Sequence, residues 1–358
     1  MEREKEREIN GLKGQLGRVN QQLEESEQVI AQFQEQIAEL EQLRPDTDTS
    51  SSSKEQRASI KLTWIEGGKA PCGMSKLYCA AADGKTLHVR LTGTCVLFSY
   101  IISTSSWSRL SDSPTIRCPL VIVNNLLTLV GGYYRAGHTL TNRLLSLTGK
   151  GSSLRWAEIF PPMPTTREGS TALCTGTALI VAGGEDRDTS FAPLRTVEVM
   201  STESLQWSTA ANLPQAMCQI PATVCGSQMY IMGENNLNMN MYTCSLQALI
   251  KSQRSFLANL FNRADTRIWK KVAAPPVTET TCVSIYGRLL AIGGKDLNGE
   301  PTTAIHMYNP TADSWEVISH MGTPRWQCIA AVLPNNQLMV AGGHTADGET
   351  DSVEFAIE

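Results

Sequence analysis

Apolar residues along this chain recur in two different registers. From Ile9 to Leu40 they return at heptad spacing: Ile9, Leu16, Leu23, Ile30 and Ile37 share one position, and Leu12, Val19, Phe33 and Leu40 share another, interrupted by Ser26. This seam predicts a coiled-coil α-helix over residues 1–44. Its other faces are polar, so the stripe needs a partner to cover it, and a homo-oligomer formed through residues 9–40 is expected. Gly11, Gly14 and Gly17 each weaken the helix by roughly 1 kcal/mol. The positions flanking the seam are mostly Gln and Asn, which leaves dimer against trimer open. Arg44-Pro45 ends the helix, and the polar, Ser-rich run 45–59 reads as a flexible linker.

Beyond residue 60 the pattern shortens. Apolar runs end in paired glycines at Leu126–Gly132, Ala178–Gly184, Leu289–Gly294 and Gln337–Gly343; Met229–Glu234 is a variant with Glu in place of the second glycine. The first positions of these pairs (Gly131, Gly183, Gly233, Gly293 and Gly342) are 52, 50, 60 and 49 residues apart, an internal repeat. Each unit reads as four short strands: a, after a Pro-containing turn; b, the run ending in Gly-Gly; c, alternating; and d, bearing a Trp. The d-strand tryptophans are Trp64, Trp107, Trp156, Trp207, Trp269 and Trp315.

Counting strands sets the architecture. Trp64 brings a d strand with no a, b or c before it, and the chain after Cys328 supplies a, b and c with no d. The two remnants complete each other. An all-β, six-bladed β-propeller over 60–358 is expected, closed by the N-terminal strand and preceded by the coiled-coil helix. Closure removes the exposed edges of a linear array. The first blade is degenerate: its b strand, Leu87–Leu91, lacks Gly-Gly.

The Gly-Gly after strand b, Tyr308 in strand c and Trp315 in strand d resemble the kelch-repeat family, and the resemblance extends over 60–358. It implies a β-propeller and a binding role. In the bottom-up reading the shared residues are scaffold. Glycine permits positive φ and close backbone approach, and Trp fills the wedge between blades.

Composition narrows the function. With 31 basic and 35 acidic residues, net charge −4, general nucleic-acid binding is not expected. There is no run of 18 apolar residues to span a membrane, and the charged N-terminus lacks the apolar core of a signal peptide. These features, with the absence of an Asn-x-Ser/Thr sequon, predict a cytoplasmic protein. Cys118, Cys174, Cys218, Cys282 and Cys328 recur on the first strand of successive units and read as small buried hydrophobes. The five histidines show no metal-ligand spacing, and no nucleotide or nucleophile motif occurs. No catalytic residue, metal or cofactor is therefore assigned.

The expected function is a protein-interaction scaffold or adaptor. The d–a and b–c loops share one face. Lys76, Arg117, Arg167 and Arg325 follow the tryptophans at similar distances, with Glu279 and Met217 at the matching points of other units. The resemblance implies that such arginines sit at the mouth of a peptide-binding pocket. Arg suits bidentate carboxylate contacts, so the expected partner is an acidic protein or peptide. Tyr133, Tyr134, Arg135 and Trp326 are the expected anchors. The alternatives are a substrate receptor of a ubiquitin ligase or a copper-oxidase-like enzyme. The coil and linker ahead of the repeats leave no room for the adaptor domain that the first would use. Between strands c and d of the fourth unit, Leu246–Phe261 has the spacing of an amphipathic helix, either folded back on the repeats or docking a partner.

Overall fold

The computed structural model describes residues 62–71, 78–81, 85–90, 95–134, 136–137, 139–186, 192–219, 221–235, 238–252, 267–333 and 335–357. The coiled coil and linker lie outside these residues, as do Lys76, Arg135 and the part of the fourth-unit insertion after Ser252. The chain divides into two units, 1–58 and 59–358; everything below concerns the second.

Among the described residues that unit is all-β apart from short helical turns, and its main strands form six four-stranded antiparallel sheets. Sheet I runs Tyr78–Ala81, Thr86–Arg90, Val96–Ile101, Ser106–Asp112; sheet II, Leu120–Val123, Leu126–Val130, Leu144–Thr148, Arg155–Phe160. Sheet III runs Thr171–Cys174, Ala178–Ala182, Val197–Ser201, Trp207–Thr209; sheet IV, Ala222–Cys225, Gln228–Asn235, Asn238–Ser245, Lys270–Val272. Sheet V runs Thr281–Ile285, Arg288–Ile292, Ala304–Asn309, Ser314–His320. Sheet VI takes Ile329–Val332, Leu338–Ala341 and Ser352–Ile357 from the C-terminal end and Thr63–Lys69 from the N-terminal end, with Trp64 opposite Ala356. The strand that carries Trp64 runs on from it to Lys69. The a strands of successive sheets lie side by side, and that of sheet VI lies against that of sheet I.

The b strands are the most buried because both faces are covered. Leu179, Ile180, Val181 and Ala182 are all inaccessible, as are Leu338 to Ala341. An almost continuous apolar run is what such a position demands. Five of the six d-strand tryptophans tie an inter-sheet boundary with the indole N–H. Trp156 donates to Asp112 O, Trp207 to Pro161 O, Trp269 to Ala211 O and Trp315 to Ala273 O, at 2.8–3.3 Å. Trp64 donates to Ser319 Oγ, so sheet VI is tied to sheet V in the same way.

The first glycine of each pair has φ between +57° and +64° and the second between +91° and +108° in sheets II, III, V and VI. A Cβ on Gly294 would lie 2.5 Å from Thr278 O, so the pair is required by left-handed backbone and by close approach together. Sheet IV needs neither, because its b and c strands continue as one hairpin through Glu234 and Asn235.

The insertion begins as a helix at Leu246–Lys251, capped by Ser245, whose hydroxyl accepts from Ala248 N. Leu249 is fully buried beside Leu213 and Trp269, and Ser252 Oγ accepts from Ala211 N. The described part is thus folded back onto sheets III and IV. No helix among the described residues is long and apolar enough to cross a membrane.

Candidate functional site

The loop before the a strand of sheets II to VI contains a residue in the left-handed region: Arg117 (φ 52°), Gly169 (61°), Gln219 (51°), Glu279 (53°) and Gln327 (52°). Consecutive members are joined by backbone hydrogen bonds, Gly169 N to Arg117 O, Gln219 N to Gly169 O and Gln327 N to Glu279 O. These bonds rigidify a platform. In sheets II, III, V and VI the residue just before the left-handed one bridges to the one just after Gly-Gly in the same sheet. That sets Ile116 beside Tyr133, Glu168 beside Glu185, Thr278 beside Lys295, and Trp326 beside His344. The d–a and b–c loops therefore share a face, as the strand count requires.

Side chains at these equivalent points differ from sheet to sheet and reach across the boundaries. Arg117 Nη1 lies 3.2 Å from Glu168 Oε1 and 3.7 Å from Glu185 Oε1. Lys295 Nζ is 2.9 Å from Glu279 Oε1 and 3.6 Å from the centre of the Trp326 ring. The other face of that indole stacks on His344, with ring centres 4.4 Å apart at 17°. The Gln327 amide donates to the second Glu279 oxygen.

Inside this platform lies a cavity of about 720 Å³. Its walls are a-strand residues, among them Leu120, Ala172, Ala222, Ile329 and Ala330, and its polar lining includes Arg117, Gln219, Glu279, Gln327 and Cys218. Burial, and secondarily Glu185, raise the Cys218 thiol above its ordinary range, so it stands there as a neutral group.

Two of the expected contact arginines are corrected. Arg167 and Arg325 are completely buried. Arg167 donates to Gly183 O (2.7 Å), Thr196 O (3.2 Å) and Thr196 Oγ1 (2.9 Å), and pairs with Glu198 at 3.1 Å. Arg325 repeats the arrangement with Gly342 O, Ser352 O, Ser352 Oγ and, at 2.5 Å, Glu354. Both hold the Gly-Gly turn of their own sheet to its c strand. They stand two residues before the left-handed position, where Met217 stands in sheet IV, whereas Arg117 and Glu279 occupy the left-handed position itself. Equal spacing from the tryptophans had merged two registers, because the d–a loops differ in length. Arg90, in the degenerate first unit, is buried as well and donates to Thr115 O and Cys118 O.

Of the remaining candidates, Arg117 is partly exposed and lines the cavity. Tyr133 is half-buried, and Tyr134 packs on the cluster containing Cys118 and Leu120. Trp326 is half-buried with both ring faces occupied by the chain's own Lys295 and His344. Burial takes Arg167 and Arg325 out of the set of arginines behind the expected acidic partner, while Arg117 stays accessible. Among the described residues the accessible charges on these loops are mainly carboxylates: Glu185, Asp186, Glu279, Asp296, Glu300, Asp347, Glu349 and Asp351 against Arg117, Arg143, Arg195 and Lys295.

Eight of the ten cysteines have described side chains, and all eight are free thiols. The five expected on strand a do not share one register. Cys174 and Cys282 are on the strand, while Cys118, Cys218 and Cys328 precede it. Sequence reasoning passed over Gln219, Lys295, Gln327 and His344. The signal available was the position immediately after each Gly-Gly and its counterpart before strand a.

The family model described as "KLHDC2/KLHL20/DRC7 Kelch-repeats domain" matches residues 117–343. Kelch-like protein 25 of Xenopus tropicalis is 21% identical over 288 residues, 76% of this chain and 46% of that protein. Kelch-like protein terF of Aspergillus terreus is 28% identical over 145 residues (39% and 31%), and the F-box/kelch-repeat protein At1g67480 of Arabidopsis thaliana is 29% identical over 79 (22% and 21%). The chain thus spans less than half the length of these curated relatives. A solved structure titled "Structure of YjhT" superposes with a TM-score of 0.61 at 16% identity, covering 79% of this chain and 95% of that one.

Proposed function

Because this chain belongs to the kelch-repeat family, we propose that it is a protein-interaction scaffold: a six-bladed propeller, closed by its N-terminal strand, that binds a partner protein on the face formed by the d–a and b–c loops. The observation that carries this reading is the division of labour in the repeat. Glycine, tryptophan and buried arginine recur and are consumed by the fold. The positions around the cavity mouth vary from sheet to sheet: Arg117, Gly169, Gln219, Glu279 and Gln327 before strand a, and Tyr133, Glu185, Lys295 and His344 after Gly-Gly. Leu297 extends the same face, 94% exposed at the tip of a loop held by Asp296, which accepts from Asn298 N and Glu300 N. Exposed apolar groups on a preorganised loop lower the entropic cost of docking.

Residues 9–40 are proposed to oligomerise the chain, so that several such faces act together and gain avidity without new contacts. A cytoplasmic location is part of the same reading. The relatives named as kelch-like and F-box/kelch-repeat proteins favour a second version, in which the face presents a substrate to a ubiquitin ligase.

Affinity capture with mass spectrometry tests the proposal. Full-length protein is compared with a variant carrying Leu297→Ser and Lys295→Ser and with one carrying Tyr286→Ser on the opposite face. The proposal expects the first variant to lose specific partners that the second keeps. Equal recovery by all three would refute it.

A further inference from the structure

The charges that line the central cavity are already paired within the chain. Arg117 and Glu279 are the charged residues of its lining. Arg117 Nη1 lies 3.2 Å from Glu168 and 3.7 Å from Glu185, and Glu279 holds Lys295 Nζ at 2.9 Å and accepts from the Gln327 amide. What distinguishes the wall is sulfur: Met217, Cys218, Met239, Cys282 and Cys328 all line the cavity. Burial raises the thiols of Cys218 and Cys282 and pushes that of Cys328 up to about 11, so all three are neutral. Cys282 Sγ reaches Met232 Sδ on sheet IV at 3.7 Å, and the cluster around that contact includes Tyr230, Tyr308 and Trp315. Sulfur is thus already packed with aromatic rings on one side of the wall.

We infer that this cavity takes an uncharged aromatic side chain of the partner, its ring set among the wall sulfurs. This rests on the reading of the loop face as the binding surface and specifies the chemistry of the partner's anchor. A charged group entering the cavity would leave water and meet Arg117 and Glu279 already paired, so no new counter-charge offsets its desolvation. An aromatic ring carries no such penalty, and thioether and thiol sulfur make favourable contacts with ring edges. Methionine is unbranched and adapts its shape to what it packs against. Small residues at Ala172, Ala222 and Ala330 leave the space open, and the volume, about 720 Å³, accommodates one aromatic side chain with its flanking backbone. Gln219 and Gln327, also in the lining, are neutral hydrogen-bonding residues suited to a phenol O–H or an indole N–H.

The test uses the full chain and four acetylated, amidated Gly-X-Gly peptides with Tyr, Leu, Lys or Glu at X. Ligand-observed NMR titrations give their affinities. The Tyr peptide is expected to bind about tenfold more tightly than the Leu peptide, through several sulfur–ring contacts, and the Lys and Glu peptides not to bind. Ala222→Phe fills the cavity and is expected to abolish binding of the Tyr peptide, with unchanged thermal melting showing that the variant is folded. Met239→Leu conserves volume and removes one sulfur; it is expected to weaken the Tyr peptide about threefold, one lost sulfur–ring contact, and carries the test alone if Ala222→Phe melts early. Tyr286→Ser, on the opposite face, is expected to leave the affinity unchanged. Equal affinity for the Leu peptide, binding of the Lys or Glu peptide as tight as that of the Tyr peptide, or a Tyr-peptide affinity unchanged in Met239→Leu overturns the inference. If no peptide binds while the Leu297→Ser/Lys295→Ser variant still loses its captured partners, the aromatic-anchor inference fails and the wider reading stands. If capture survives that variant too, both fail.

Discussion

Replacing Arg325 separates scaffold from contact surface. Arg325→Met keeps an unbranched side chain and removes the guanidinium. Five acceptors lose a donor: Gly342 O, Ser352 O, Ser352 Oγ, Glu354 and, at 3.5 Å, Thr323 O. Breaking a buried ion pair by removing one partner costs about 3–5 kcal/mol. Glu354 keeps two backbone donors, Gly322 N at 2.6 Å and Thr323 N at 3.0 Å, which places this term near about 3 kcal/mol. Ser352 O still accepts from Gly342 N at 3.0 Å, so the loss at Gly342 O adds roughly 1 kcal/mol. The expected loss is therefore about 4 kcal/mol, a large part of the ~5–15 kcal/mol that holds a domain folded. At roughly 2 °C per kcal/mol for a domain of this size, Tm falls by about 8 °C. Urea unfolding measures the change as a shift of midpoint at constant slope. Adding Glu354→Gln removes the uncompensated charge and is expected to restore about 2 kcal/mol. A stability loss under about 1 kcal/mol accompanied by loss of partner binding would refute the assignment and return Arg325 to the binding surface.

Three further outcomes follow from the same geometry. A Cβ on Gly67 would collide with the Phe355 ring and approach Val353 Cγ1 at 3.1 Å, so Gly67→Ala is expected to destabilise the Thr63–Lys69 strand by about 1–3 kcal/mol, with Phe355→Leu restoring part of it in equilibrium unfolding. Asp313 accepts from Tyr308 Oη (2.7 Å) and Ala273 N (2.8 Å), and those bonds, the first above all, hold its carboxyl below its ordinary value. The unfolded chain then binds the proton more readily, so Asp313's contribution is present above the ordinary carboxylate range and lost as pH falls through the depressed folded value; Asp313→Asn is expected to flatten the acid limb of a stability–pH curve, and an unaltered limb would contradict the role. Light scattering of the full chain against a chain lacking residues 1–44 is expected to show an oligomer only in the former, and a monomer in both would remove avidity from the account.

Much of the fold is legible in the sequence because its signals are local. A Gly-Gly pair after an apolar run encodes a left-handed turn that other residues rarely adopt, and each Trp encodes a boundary it fills with its own ring. Pairing the leftover strand at Trp64 with the unfinished unit after Cys328 needed only that every unit have four strands. The site was less legible. Arg117 and Arg325 look alike at equal distance from a Trp, yet one projects into the cavity and the other is buried under Gly342. The difference is a two-residue register set by backbone φ, which no side chain of the loop announces. The burial of Arg167 and Arg325 is illegible for the same reason. Arginines that appear as surface charge in the sequence are neutralised inside the fold by Glu198 and Glu354, carboxylates from strands about thirty residues away. Trp326 kept its place on the face, but its ring is already occupied by Lys295 and His344, contacts that arise only when sheets V and VI meet.

The central claim is that the repeat's shared residues are scaffold and that the partner is held where the copies differ, around the cavity mouth. Hydrogen–deuterium exchange on the full chain, free and bound to a captured partner, tests it most directly. The account predicts new protection in the loops around Arg117, Lys295–Glu300, Trp326 and His344–Asp351, with none in the opposite turns at Asn124, Leu205 and Tyr286. Protection concentrated in those opposite turns, with the cavity mouth unchanged, would contradict it.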